Sequence, residues 1–190
     1  RRWISVPQVL RPRGEGGVDA AHPSRPGGAY GAGKVAVEAH CFAAHHAEGR
    51  HTVSLRPCAV YGLDPRLPRA VGFPFIEKLR RGEPFTRTGG GKFVHVDDVA
   101  TATVGALTTP GAAGGAYNLV DCYARWADLA AMLAEHLGVD ASIDLSSPAA
   151  PKNMFTPDAA RTLGPKLDRG HDGLRSYLGE LIEVANRTGV

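Results

Sequence analysis

A tyrosine and a lysine stand four residues apart in Tyr30-Gly-Ala-Gly-Lys34, a spacing that puts both on one face of a helix, one turn from each other. An ammonium held beside a phenol favours the phenolate and draws its pKa down from about 10. The pair is therefore suited to general acid/base work on a hydroxyl or carbonyl. The same two residue types are also common on solvated helix faces, so the spacing alone leaves both readings open. A second motif overlaps the first, because Gly28-Ala-Tyr-Gly-Ala-Gly-Lys34 meets most of the phosphate-binding pattern G-x-x-x-x-G-K. Against it, Val35 stands where a Ser or Thr would hold magnesium, and the preceding Asp19 to Pro26 carries two prolines and is no buried strand.

Other reactive side chains have plainer readings. His40, His45, His46 and His51 crowd one region, but His45 and His46 are adjacent and point to different sides, and no H-E-x-x-H occurs. Surface histidines are expected there, and no metal site. Cys41, Cys58 and Cys122 are an odd, widely spaced set without C-x-x-C, which suggests free thiols in a reducing cytoplasm. Cys58 is expected to be a small buried side chain, and Trp126 a core or interface residue.

The totals place these residues in a globular chain. With 190 residues, 43% hydrophobic and 22% charged, the chain is long enough for one cored domain and a small lobe beside it. A net charge of +3 is too mild and scattered to argue for nucleic acid. No apolar run reaches the roughly 20 residues of a membrane helix, and no signal peptide is visible. The chain opens Arg-Arg-Trp without an initiator methionine, so it is expected to be part of a longer one.

The elements that would position the pair follow a βαβ rhythm. Trp3 to Val6 reads as the tail of a buried strand, 11–28 as a Gly/Pro-rich loop, and Ala29 to Glu48 as a helix stopped by Gly49. His51 to Arg56 is strand-like and runs into Pro57, after which Cys58 to Pro68 reads as a loop. Further on, the pattern predicts a helix from Phe73 to Arg81, a strand at Phe93 to Val96, and a helix from Asp97-Asp98 to Leu107. The two aspartates would cap that helix. Strands at Ala116 to Val120 and Ala141 to Leu145 and helices at Trp126 to Leu137, Pro157 to Leu163 and Gly173 to Asn186 complete the prediction.

Three segments, taken in order, resemble the C-terminal two thirds of the extended short-chain dehydrogenase/reductases, also called NAD-dependent epimerase/dehydratases. They are Ile4-Ser-Val-Pro-Gln-Val9 with Tyr30-Gly-Ala-Gly-Lys34 and Glu38 after it; Leu55-Arg-Pro-Cys-Ala-Val-Tyr-Gly62; and Phe93-Val-His-Val-Asp-Asp-Val-Ala100 with Ala116-Tyr-Asn-Leu119. The resemblance implies an α/β fold, a partial doubly wound Rossmann-type parallel sheet with a small C-terminal substrate lobe. Residues 1–62 would form the second half of the cofactor domain. Residues 63–190 would be mainly the lobe, with a return to the sheet near 91–120. It further implies NAD or NADP as cofactor and a sugar-like or other small-molecule substrate. Tyr30 would be the acid/base, Lys34 its tuning and ribose-binding partner, and Pro57, Cys58, Ala59 and Val60 the passage beside the nicotinamide. A homodimer through helix 29–48 is implied as well.

The departures carry expectations of their own. The family's strand-end Ser or Thr falls on Val6 here, with the hydroxyl of Ser5 one residue early; because neighbouring strand residues point to opposite faces, Ser5 can substitute only if the strand end is irregular. Ala59 and Gly91 stand where nucleotide-sugar members often have Asn and Arg, which argues against a nucleotide-sugar substrate, although Arg66, Arg69, Arg87 or Lys92 could still meet an anionic group. No G-x-x-G-x-x-G loop is present, and three βα units, roughly a hundred residues, would precede Arg1. These 190 residues alone are expected to bind NAD(P) poorly. The rival reading is a truncated, non-catalytic relative that binds no cofactor and uses the fold for binding or scaffolding.

Overall fold

The computed structural model describes residues 3–5, 16–22 and 26–189. In chain order the elements are β1 (Trp3–Ser5), β2 (Gly16–Val18), α1 (Ala29–Glu48), β3 (Thr52–Pro57), β4 (Ala59–Tyr61), α2 (Phe73–Arg80) and β5 (Gly90–His95). They continue as α3 (Val96–Thr108), β6 (Ala116–Leu119), β7 (Cys122–Arg125), α4 (Trp126–Leu137), β8 (Asn153–Phe155), α5 (Asp158–Arg161) and α6 (Gly170–Thr188). They fall into two units, one of Arg1–Cys58, Val96–Val120 and Lys152–Leu167, the other of Ala59–His95, Asp121–Pro151 and Asp168–Val190. The fold is α/β and Rossmann-like, with parallel strand pairing in both units.

In the first unit every residue of β3 is buried, as a central strand of a covered parallel sheet requires. Parallel β1 and β6 flank it, with Ser5 opposite Ser54 and Asn118 opposite Arg56. α1 packs on this sheet with Cys41 buried, and the Thr52 hydroxyl donates to the Cys41 carbonyl at 2.6 Å. The helix ends as predicted on Gly49, whose φ of 64° lets its N–H turn back onto carbonyls of the last turn. β2 and β8 form a separate parallel pair.

The second unit has its own sheet, β4-β5-β7, parallel between the first two and antiparallel between the last two. α2, α4 and α6 share one apolar core with it, built on Ile76, Leu79, Phe93, Leu133, Leu178 and Leu181. α4 starts where the Asp128 carboxylate accepts from both the backbone N–H and the guanidinium of Arg125, and it stops at Gly138. No helix among the described residues is long and apolar enough to cross a membrane.

Three expectations about elements change. Ala141 to Leu145 forms no strand, only a single bridge between Ile143 and Phe85, because a strand needs a partner of its own length. The passage after Pro57 is not all loop, since Ala59–Tyr61 pairs with β5. The helix after β5 starts at Val96, which places Asp97 and Asp98 inside its first turn, where their charge complements the dipole.

Candidate active site

α1 carries the predicted pair. Tyr30 is the second residue of the helix and is 70% exposed, while Lys34, one turn on, is half-buried. The Lys34 ammonium stands over the Tyr30 ring, 5.5 Å from its centroid, within cation–π range. The helix therefore brings the two together with the charge over the ring, and the phenol is open to solvent.

One turn further along the same helix lies Glu38, which is 5% exposed. Its two oxygens accept from Nε and Nη2 of Arg56 at 2.9 and 2.6 Å, and the Ser54 hydroxyl donates to it as well. Ser54 and Arg56 alternate along β3, so both face α1. Burial pushes the Glu38 carboxyl up, but the bonds from Arg56 and Ser54 and the charge of Arg56 outweigh it and leave the group below its ordinary value. The remaining arm of Arg56 donates from Nη1 to the Ala20 carbonyl at 2.9 Å, and Asn118 donates to the Val18 carbonyl at 3.2 Å. The grouping was legible only in part, with Glu38 and Arg56 quoted inside separate motifs. Two polar residues alternating within a buried strand were the signal that they face a charged partner.

The other predicted site residues are placed as follows. Ser5 ends β1 and pairs with Ser54 through the backbone, while Val6 and Val9 lie outside the described residues. Pro57 closes β3, the buried Cys58 donates its N–H to the Leu119 carbonyl at 3.0 Å, and Ala59 and Val60 open β4. Arg66, Arg69 and Lys92 belong to the second unit, the two arginines exposed and Lys92 half-buried on β5. Arg87 stacks its guanidinium on Trp126, 4.0 Å from the ring centroid.

Two of the clustered histidines hold backbone carbonyls, and His40 and His46 are exposed. His45 and His51 are half-buried and bond the carbonyls of Arg50 and Ala106 at 2.9 and 2.8 Å, which corrects their reading as solvated. Among the described residues no group of three His, Cys, Asp or Glu could hold a metal ion. The Cys122 thiol is pushed up to about 12 by burial and by the charge of Asp121, so it stays protonated and inert at neutral pH.

The sequence profile of the NAD dependent epimerase/dehydratase family matches residues 9–119. No curated protein matches the chain. Among solved structures, UDP-glucuronic acid 4-epimerase from Bacillus cereus, in complex with UDP-glucuronic acid and NAD, is 27% identical with a TM-score of 0.72, over 95% of this chain and 60% of that one. Two more distant structures share the fold. UDP-glucose 4-epimerase from Thermotoga maritima with UDP-glucose is 21% identical with a TM-score of 0.74, over 98% of this chain and 63% of that one. RMD from Pseudomonas aeruginosa with NADPH is 20% identical with a TM-score of 0.72, over 95% and 63%. The chain thus spans about 60% of the length of the first of these relatives. Because the family profile takes in more than half of its residues, from before the tyrosine helix to the end of β6, the chain belongs to the NAD-dependent epimerase/dehydratase family.

Proposed function

We propose that the natural protein is an NAD(P)-dependent epimerase, dehydratase or reductase that acts on a hydroxyl or carbonyl of a sugar-like substrate, with Tyr30 as its acid/base. The observation that carries this reading is the solvent-open phenol of Tyr30 beneath the Lys34 ammonium, on a helix inside the region that matches the family. The donor set suits a nicotinamide ribose, since Lys34 offers three N–H donors one turn from a phenol that both donates and accepts. Bound NAD(P) supplies the acceptor and donor of hydride. Tyr30 takes the proton from the substrate hydroxyl and returns it to the carbonyl. Lys34 holds the ribose hydroxyls and keeps a positive charge over the ring. Pro57, Cys58, Ala59 and Val60 offer backbone groups to the carboxamide, and Ser5 orients the substrate oxygen.

In this reading the first unit holds the cofactor and the second is the substrate lobe, where Arg66, Arg69 and Lys92 offer cations to an anionic substrate group. The solved relatives contain UDP-glucuronic acid and UDP-glucose, which makes UDP-sugars the first class to test. α1 also exposes Ala32, Ala36, Val37 and Ala43, a small-residue surface on which a second copy would pack in a homodimer. Sedimentation of the natural protein and a Val37→Glu variant tests that, the variant being monomeric if the surface is used.

The deciding experiment compares the natural chain with Tyr30→Phe in the presence of NAD or NADP and a panel of UDP-sugars. Loss of the acid/base should cut turnover by about a hundredfold or more while NAD(P)H still binds. Full turnover in Tyr30→Phe overturns the assignment. A natural chain that binds no NAD(P)H and turns over no sugar favours the scaffolding reading.

A further inference from the structure

We infer that Arg56 is a positioning residue for Tyr30, its one guanidinium holding both the helix that carries the tyrosine and the chain that enters that helix. The inference rests on Tyr30 being the acid/base. Nε and Nη2 grip Glu38, beyond Tyr30 in α1, and Nη1 grips the carbonyl of Ala20, ahead of it. In sequence, Tyr30 and Lys34 lie between the two gripped residues, Ala20 and Glu38.

That stretch needs tethers of this kind. The first turn of α1 has no side-chain cap and no acidic residue, and the glycines at 27, 28, 31 and 33 have the most backbone freedom to lose. Held only from Glu38 onward, the turn that carries Tyr30 would fray. The second grip ties the chain ahead of the helix to β3, and Asn118, in register with Arg56 on the neighbouring strand, adds to it by holding the Val18 carbonyl. An ion pair serving the core alone would need only Glu38. Holding a carboxylate and a carbonyl at once takes the planar fork of arginine, which lysine lacks.

The test is made on the natural chain with NAD and UDP-glucose or UDP-glucuronic acid. Arg56→Lys keeps a cation facing Glu38 and gives up the third contact. We expect kcat to fall about tenfold to a hundredfold, as for a small misplacement of a reacting group. KM and melting temperature should be nearly unchanged, and hydrogen exchange at residues 19–22 and 26–31 should be faster. Adding Gly28→Ser, whose hydroxyl would cap the helix from an extended residue with open space around it, should recover part of the lost kcat. A loss of kcat that only tracks melting temperature and is not rescued by Gly28→Ser overturns the proposal, as does an Arg56→Lys enzyme with unchanged kcat and exchange. If Arg56→Lys does not fold, Glu38→Met with Arg56→Met replaces the pair by apolar chains of similar length and must show the same kcat loss and faster exchange. Tyr30→Phe separates the two readings. If it keeps full turnover the acid/base assignment falls, and exchange at 19–22 and 26–31 then decides the clasp, faster exchange in Arg56→Lys supporting it and unchanged exchange overturning it.

Discussion

Tyr30 and Glu38 lie eight residues apart on the same side of α1, the first 70% and the second 5% exposed, about 12 Å from each other along the axis. Glu38 thus faces the sheet while Tyr30 faces solvent. A buried charge at one end and an open phenol at the other let packing fix the helix without covering the group that reacts.

Removing one partner of the buried pair should be costly. Glu38→Ala leaves the Arg56 guanidinium, whose side chain is 9% exposed, without its carboxylate, and such a loss typically costs about 3–5 kcal/mol. Replacing both, Glu38→Met with Arg56→Met, should be near neutral, since neither charge is then stranded. Urea midpoints of the natural chain and the two variants check this. Equal destabilisation by single and double variants would count against it.

The same carboxyl sets an acid limit. Its folded pKa lies below the ordinary value, so its contribution is complete above the unfolded carboxylate pKa of about 4.3 and is lost as pH falls through the folded value. The stability gap between the natural chain and Glu38→Gln should therefore hold from neutral pH down to about 4.3 and narrow below it. Melting temperatures measured from neutral to acid pH test this, and a gap that widens on acidification would refute it.

What could be read from the residues and what could not divide along physical lines. α1 and α4 were legible because apolar residues recur at helical spacing and Gly49 and Gly138 stop them, and the Tyr30/Lys34 contact follows from spacing within one helix. β2 and β8 were missed because Gly16-Gly17-Val18 has no alternation and its partner, Asn153–Phe155, lies far along the chain, so neither run announces the other. The opposite error at Ala141 to Leu145 has the same root: alternation is present, but only Phe85 is there to bridge. The Arg56 grip was hidden because its third acceptor is a backbone carbonyl, at Ala20, which no side-chain pattern encodes.

Lys34→Met should separate cofactor holding from proton transfer. The ammonium over Tyr30 is, in the proposed role, also the donor to the ribose, and a hydrogen bond from a charged group is worth about 1.5–3 kcal/mol. NAD(P)H binding followed by nicotinamide fluorescence should weaken by about tenfold to a hundredfold in Lys34→Met, whereas Tyr30→Phe keeps it. Unchanged binding in Lys34→Met would remove the ribose role.

Two glycine-to-alanine changes in helices should have opposite signs. Alanine gains about 1 kcal/mol over glycine in a helix interior, and at Gly33 of α1 a Cβ meets nothing within 4 Å, so Gly33→Ala should be stabilising. At Gly105 of α3 the same Cβ would run into the backbone carbonyl of Leu163, just past α5. Overpacking costs about 1–3 kcal/mol, and backbone cannot rotate aside as a side-chain tip does, so the clash outweighs the propensity and Gly105→Ala should be destabilising. Urea midpoints of the two variants decide it. A stabilised Gly105→Ala would mean that α3 does not approach Leu163 as closely as the fold requires.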